Sequence, residues 1–123
     1  MLSILVLVGT LVANPVAPPV AKFRLAVMPI ESGYRIECAE GCSWLDVNFE
    51  CKNDCRVIVD NRGLHPITEQ STSPETTFSF EFHRTTKGWE LTGLSGTSWL
   101  SLGVGCRTIG CSADVDESGV RVN

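Results

Sequence analysis

Six cysteines fall into three short-spaced pairs, Cys38 with Cys42, Cys51 with Cys55 and Cys106 with Cys111, and carry the plainest chemistry in the chain. Such pairs suit either a tetrahedral thiolate zinc site or disulfides. Zinc held by Cys38, Cys42, Cys51 and Cys55 would favour two intervening residues per pair, where these have three. The pair Cys106 and Cys111 has no companion to complete such a site. Disulfides are the better reading. Closing so short a loop is worth about 2 kcal/mol in the loop-entropy picture, so the bridges staple local structure while a core must still hold the fold.

Of the titratable residues, His83 is the one with company. It is expected to face Glu90 across a hairpin, with Glu81 on the same face, and with Asp114 the set would make a small metal or acid–base site. A His and a Glu opposed on a wet sheet face are more often a weak cross-strand pair, worth well below about 1 kcal/mol. Asp114, Asp116, Ser118 and Gly119 imitate the opening of a calcium loop. Trp44 and Trp99 could be aromatic platforms for a sugar or a partner, or could close the ends of a core through an indole hydrogen bond. No Gly-x-Ser-x-Gly elbow, phosphate-cradling glycine loop or His-Glu-x-x-His helix occurs.

The elements that must position these residues are written twice. GCSWLDVNFECKNDCRVIVDNRG from Gly41 is echoed by GTSWLSLGVGCRTIGCSADVDESG from Gly96, and the spacing of Gly33 to Gly88, Trp44 to Trp99 and Cys51 to Cys106 is constant at 55. After one inserted residue, Cys55 to Cys111, Asp60 to Asp116 and Gly63 to Gly119 differ by 56. A fixed period of this kind reads as one supersecondary unit built twice. It also orders the cysteines. Cys51 and Cys55 recur as Cys106 and Cys111, while Cys38 and Cys42 give way together to Gly93 and Thr97, so each pair is expected to be its own bridge.

Comparison of the copies weighs on the other candidates too. Met28 and Arg35 stand where His83 and Glu90 would need counterparts, and Ile58 stands where Asp114 does. What the copies share, Asp60 to Gly63 and Asp116 to Gly119, is explained by a turn opened by Asp and closed by glycine. The outward residues of the third strand differ: Asp46, Asn48 and Glu50 become Ser101, Gly103 and Gly105. This bare strip, with Trp44 and Trp99 beside the strand entrances, is the candidate binding surface.

Apolar residues alternate with polar ones almost throughout, as in Phe78, Phe80 and Phe82 or Phe23, Leu25 and Val27. Glycines at 33, 41, 88 and 96 mark reversals, and Leu45, Val47, Phe49 and Cys51 are expected to be buried, as are Leu100, Leu102, Val104 and Cys106. The pattern predicts an all-β protein of two four-stranded antiparallel meanders, each covering the other's apolar face as a sandwich or an eight-stranded barrel. The units are repeat 1 at 22–64, a polar linker at 65–77 and repeat 2 at 78–123, forming one domain.

Residues 1–21 read as a signal peptide. Leu2 to Val12 is an uncharged apolar run, too short to span a bilayer, with small residues inviting cleavage after Ala13 or Ala21. Six cysteines behind such a leader place the chain in an oxidising compartment, secreted or periplasmic. The net charge of −4 provides no basic stripe for nucleic acid.

The motif carried by GCSWLDV and GTSWLSL, preceded by a Phe-x-Phe strand and a turn glycine and followed by Asp-x-x-Gly, resembles that of small exported bacterial proteins of unknown function. The resemblance implies an exported domain and brings no activity or functional residues with it. The expectation is therefore a non-catalytic binding or structural module, without cofactor, whose partner is a protein or glycan. A small metal-dependent or acid–base hydrolase centred on His83 is the alternative, and a homodimer through the outer strand edges is a third arrangement.

Overall fold

A computed structural model describes residues 19–68 and 73–123, so residues 1–18, most of the expected leader, lie outside the described residues. The described residues form ten strands and no helix. The first half holds β1 (Arg24–Ile30), β2 (Gly33–Glu40), β3 (Asp46–Glu50), β4 (Arg56–Asp60) and β5 (Gly63–His65). The second holds β6 (Ser79–Arg84), β7 (Trp89–Ser95), β8 (Ser101–Val104), β9 (Ala113–Asp116) and β10 (Gly119–Val122). They make two antiparallel five-stranded sheets, ordered β10-β9-β1-β2-β3 and β5-β4-β6-β7-β8, stacked like a sandwich and not closed into a barrel.

This corrects the expected pair of four-stranded meanders. The fourth strand of each half does not return beside the third; it crosses the sandwich and pairs with the first strand of the other half. Thus Val57 pairs with Phe82 and Val59 with Phe80, while Leu25 pairs with Val115 and Val27 with Ala113. The composition of β4 suits the interior position that it takes. β4 contains the consecutive apolar residues Val57, Ile58 and Val59, which suit a strand flanked on both sides. Beside β3 it would have shared an edge with Asp46, Asn48 and Glu50. The crossing also adds β5 and β10, and β5 takes Gly63–His65, so the connector begins after His65.

The core fills the space between the sheets with residues of the expected parity. Phe23, Leu25, Val27 and Ile36 from one sheet meet Val59, Phe80, Phe82 and Leu91 from the other, all essentially without solvent contact. Phe23 stacks on Phe78 with ring centroids 4.0 Å apart, joining the two first strands at their starts.

One local expectation fails for a reason visible in the backbone. Leu45 and Leu100 are 81% and 83% exposed, although parity assigned them to the core. The ladders begin one residue later, at Asp46 and Ser101, and the preceding Trp44 and Trp99 pack inward in their place. Gly33, which opens β2, and Gly88, which directly precedes β7, lie at the expected reversals without the positive φ of a left-handed turn residue. They are glycines because a β-carbon there would run into the carbonyl oxygen of Phe49 or Val104 on the neighbouring strand.

Candidate functional site

The three disulfides join Cys38 to Cys42, Cys51 to Cys55 and Cys106 to Cys111, with Cα atoms 6.3, 4.8 and 5.6 Å apart, and no cysteine is free. Cys51–Cys55 and Cys106–Cys111 sit where the chain crosses between sheets, so they fasten a corner and not the hairpin that the sequence suggested. Cys38–Cys42 closes the β2–β3 loop. The equivalent β7–β8 loop closes without a covalent bond: the Thr97 hydroxyl donates to the Trp99 carbonyl at 2.8 Å.

Trp44 and Trp99 are end-closures. Their indole nitrogens donate to the carbonyls of Asp60 at 3.0 Å and Asp116 at 2.9 Å, tying each β3 or β8 entrance to the turn that ends β4 or β9. Trp99 is only 8% exposed and Trp44 is half-buried, so neither ring is the open platform that a sugar would stack on. The turns beneath them are built alike. Asp60 Oδ1 accepts from the amides of Arg62 and Gly63 at 2.8 and 3.0 Å, and Asp116 Oδ1 accepts from those of Ser118 and Gly119 at 2.8 and 3.0 Å. The calcium-like signature is thus a pair of Asx turns whose carboxylates are already engaged.

The residues proposed around His83 are only partly brought together. His83 lies between Arg56 and Glu90 in the ladder, as the pairing of Phe82 with Leu91 requires. Its Nε2 is 3.3 Å from Asp54 Oδ1, and Arg56 spans Asp54 and Glu81 through contacts of 3.1 and 3.2 Å. The carboxylate beside the imidazole, Asp54, is therefore shared with the Arg56 guanidinium. Asp114 is elsewhere: β9 belongs to the other sheet, where Asp114 pairs with Ala26 and Arg121. It lines an open groove of about 450 Å³ with Arg24, Glu37 and Arg121. Among the described residues no three His, Cys, Asp or Glu side chains are grouped to hold a metal.

Asp60 is a site that sequence reasoning passed over. It is 3% exposed, with His65 Nε2 2.9 Å and Arg62 Nη2 3.4 Å from its Oδ2. No aligned hydrogen bond joins His65 to Asp60. The signal was an Asp ending the apolar run of β4, with basic residues two and five positions on.

β8 is an edge strand of its sheet, as β3 is of the other. The Gly93 amide donates to the Leu100 carbonyl at 2.9 Å, and the antiparallel register carries that phase along, so Leu100, Leu102 and Val104 turn their backbone groups to β7. Ser101, Gly103 and Gly105 turn theirs outward, and all three residues are exposed. The same reasoning on β3, from the Cys38 amide donating to the Leu45 carbonyl, leaves Asp46, Asn48 and Glu50 on the free side. One edge is screened by charge; the other is bare. A β-carbon at Gly103 would meet nothing within 4 Å, so its glycine does not serve a close approach inside this molecule. Beside it runs an open groove of about 270 Å³ lined by Lys87, Trp89, Glu90, Gly103 and Val104. At this corner β10 of the facing sheet lies next to β8.

Compared with known proteins, the chain matches no family model, no curated protein and no solved structure.

Proposed function

We propose that this disulfide-stapled all-β domain is an exported, non-catalytic binding module that takes an extended polypeptide segment of a partner onto the free edge of β8. The observation that carries this reading is the unscreened edge itself. Backbone donors and acceptors of Ser101, Gly103 and Gly105 face outward with no side chain larger than a hydroxymethyl group to shield them. Exposed edges of this kind are normally guarded by charge, as β3 is by Asp46 and Glu50. An incoming strand would gain main-chain hydrogen bonds from the edge, and the groove beside Trp89 would receive alternate side chains. Leu100, exposed at the strand entrance, offers an apolar contact at one end. Export is supported by three disulfides, which persist in oxidising compartments. The resemblance to small exported bacterial proteins belongs to the same proposal, as does descent of the two halves from one duplicated unit.

The test uses the first half's own residues. The triple substitution Ser101→Asp, Gly103→Asn and Gly105→Glu rewrites the β8 edge as the β3 edge, at positions where side chains find open space. Peptides selected from a displayed random library against the native protein should protect the Gly103 and Gly105 amides from hydrogen exchange, and the triple variant should bind them at least roughly tenfold more weakly. Peptides that bind the variant equally well, or selection of glycans instead, would overturn the reading. Sizing chromatography of the free protein shows whether the occupant is a second copy.

A further inference from the structure

Tyr34 is 3% exposed, yet its hydroxyl has no hydrogen-bond partner among the described residues. Its ring is fixed between Phe49 and Phe82, with centroids 6.0 and 4.8 Å away, so only the phenol end reaches the surface. That end lies in a polar groove of about 200 Å³ at the β1–β2 turn, shared with Ser32, Arg84 and Arg107. The matching position in the second half, 55 residues on, is Trp89, whose indole nitrogen is satisfied by the Cys106 carbonyl at 3.2 Å. The phenol oxygen is open to that groove and has no protein partner, so a tyrosine here, where phenylalanine would pack the same ring, presents a donor to whatever occupies the groove.

The two arginines supply what that something would need. Arg84 donates only to the carbonyls of Lys52 and Asn53, at 3.4 and 3.5 Å, and Arg107 donates to the Thr86 carbonyl. Neither forms an ion pair among the described residues, although the chain has more acidic than basic residues. Glu31 is the acidic residue on the groove wall, and it is exposed at the turn. Arg84 is peculiar to its half, where Pro29 stands at the matching position, while Arg107 is matched by Lys52. We infer that this groove is an oxyanion site, in which the guanidiniums of Arg84 and Arg107 and the hydroxyls of Tyr34 and Ser32 receive a sulfate, phosphate or carboxylate group of a small ligand. Guanidiniums recognise such groups through paired charge-assisted hydrogen bonds, and a phenol donor adds direction. The site does not depend on the β8 edge.

The chain contains a single tyrosine, which reports on the site directly. Sodium sulfate, sodium phosphate and sodium acetate are titrated at constant ionic strength while the tyrosine ultraviolet difference spectrum and the arginine Nε–H resonances are followed. Saturable shifts in the tyrosine band and in Arg84 and Arg107 are expected, with sulfate or phosphate against acetate distinguishing a tetrahedral from a planar group. Arg84→Gln and Arg107→Gln, both at the surface and folded by circular dichroism, should each weaken binding roughly tenfold or more. Tyr34→Phe should weaken it severalfold by the arginine resonances, and Arg121→Gln, on β10 at the opposite edge of the same sheet and lining a different groove, should leave it unchanged. Absence of saturation, or equal loss in Arg121→Gln, would overturn the inference.

Discussion

Tyr34 is the chain's one phenol, so the tyrosinate absorption that grows in on ionisation reports on it alone. Burial raises its ionisation above the ordinary value of 10.0, and the nearby charges of Arg84 and Arg107 pull against that rise without cancelling it. A group whose folded value is raised contributes stability that is complete below the unfolded value and is lost as pH climbs through the folded one. The protein is therefore expected to ionise its tyrosine above pH 10.0 at 295 nm and to lose stability across that range. Tyr34→Phe should remove this slope from the alkaline unfolding profile. Trp99 and Trp44 give a second residue-scale prediction. Replacement by Phe breaks one indole–carbonyl bond in each case and should cost about 1–2 kcal/mol by urea unfolding, more at the deeper Trp99. Their structural role was legible in the sequence, since a Trp recurs at the constant offset of 55 in both halves. The exposure of Leu45 and Leu100 was not, because parity says which face a strand residue takes but not where the ladder starts.

At the scale of elements, equivalent loops are closed by different means. The β2–β3 loop has a disulfide, and the β7–β8 loop has a threonine hydroxyl bonded to a carbonyl. Because the second means suffices in the same architecture, replacing Cys38 and Cys42 together by Ser should leave the fold intact and lower stability by about 2 kcal/mol, read from the urea midpoint. The Cys38–Cys42 pairing was readable because the matching positions of the second half, Gly93 and Thr97, both lack cysteine. The destination of β4 and β9 was not readable. Alternation places Cys55, Val57 and Val59 on an inward face whichever sheet receives them, and the three residues between Cys51 and Cys55 permit a hairpin or a crossing equally. Likewise, the strip of Ser101, Gly103 and Gly105 could be picked out as bare, but its position on a free edge depends on which strand became the neighbour.

For the whole molecule the exchange of hairpins makes each half incomplete. The sheet begun by β1, β2 and β3 is finished by β9 and β10, and the one begun by β6, β7 and β8 is finished by β4 and β5. Residues 22–64 or 78–123 produced alone would lack the strands that flank their own first strand, leaving apolar rows such as Phe80 and Phe82 without cover. Neither fragment should show a cooperative unfolding transition by itself, and mixing the oxidised fragments should restore one; independent folding of either would contradict the topology. The same interlocking governs what a protease could achieve at the polar connector. A nick there would yield two bands on a denaturing gel but a single undissociated particle in native buffer, because scission removes a covalent tether and leaves every clasp between the halves in place.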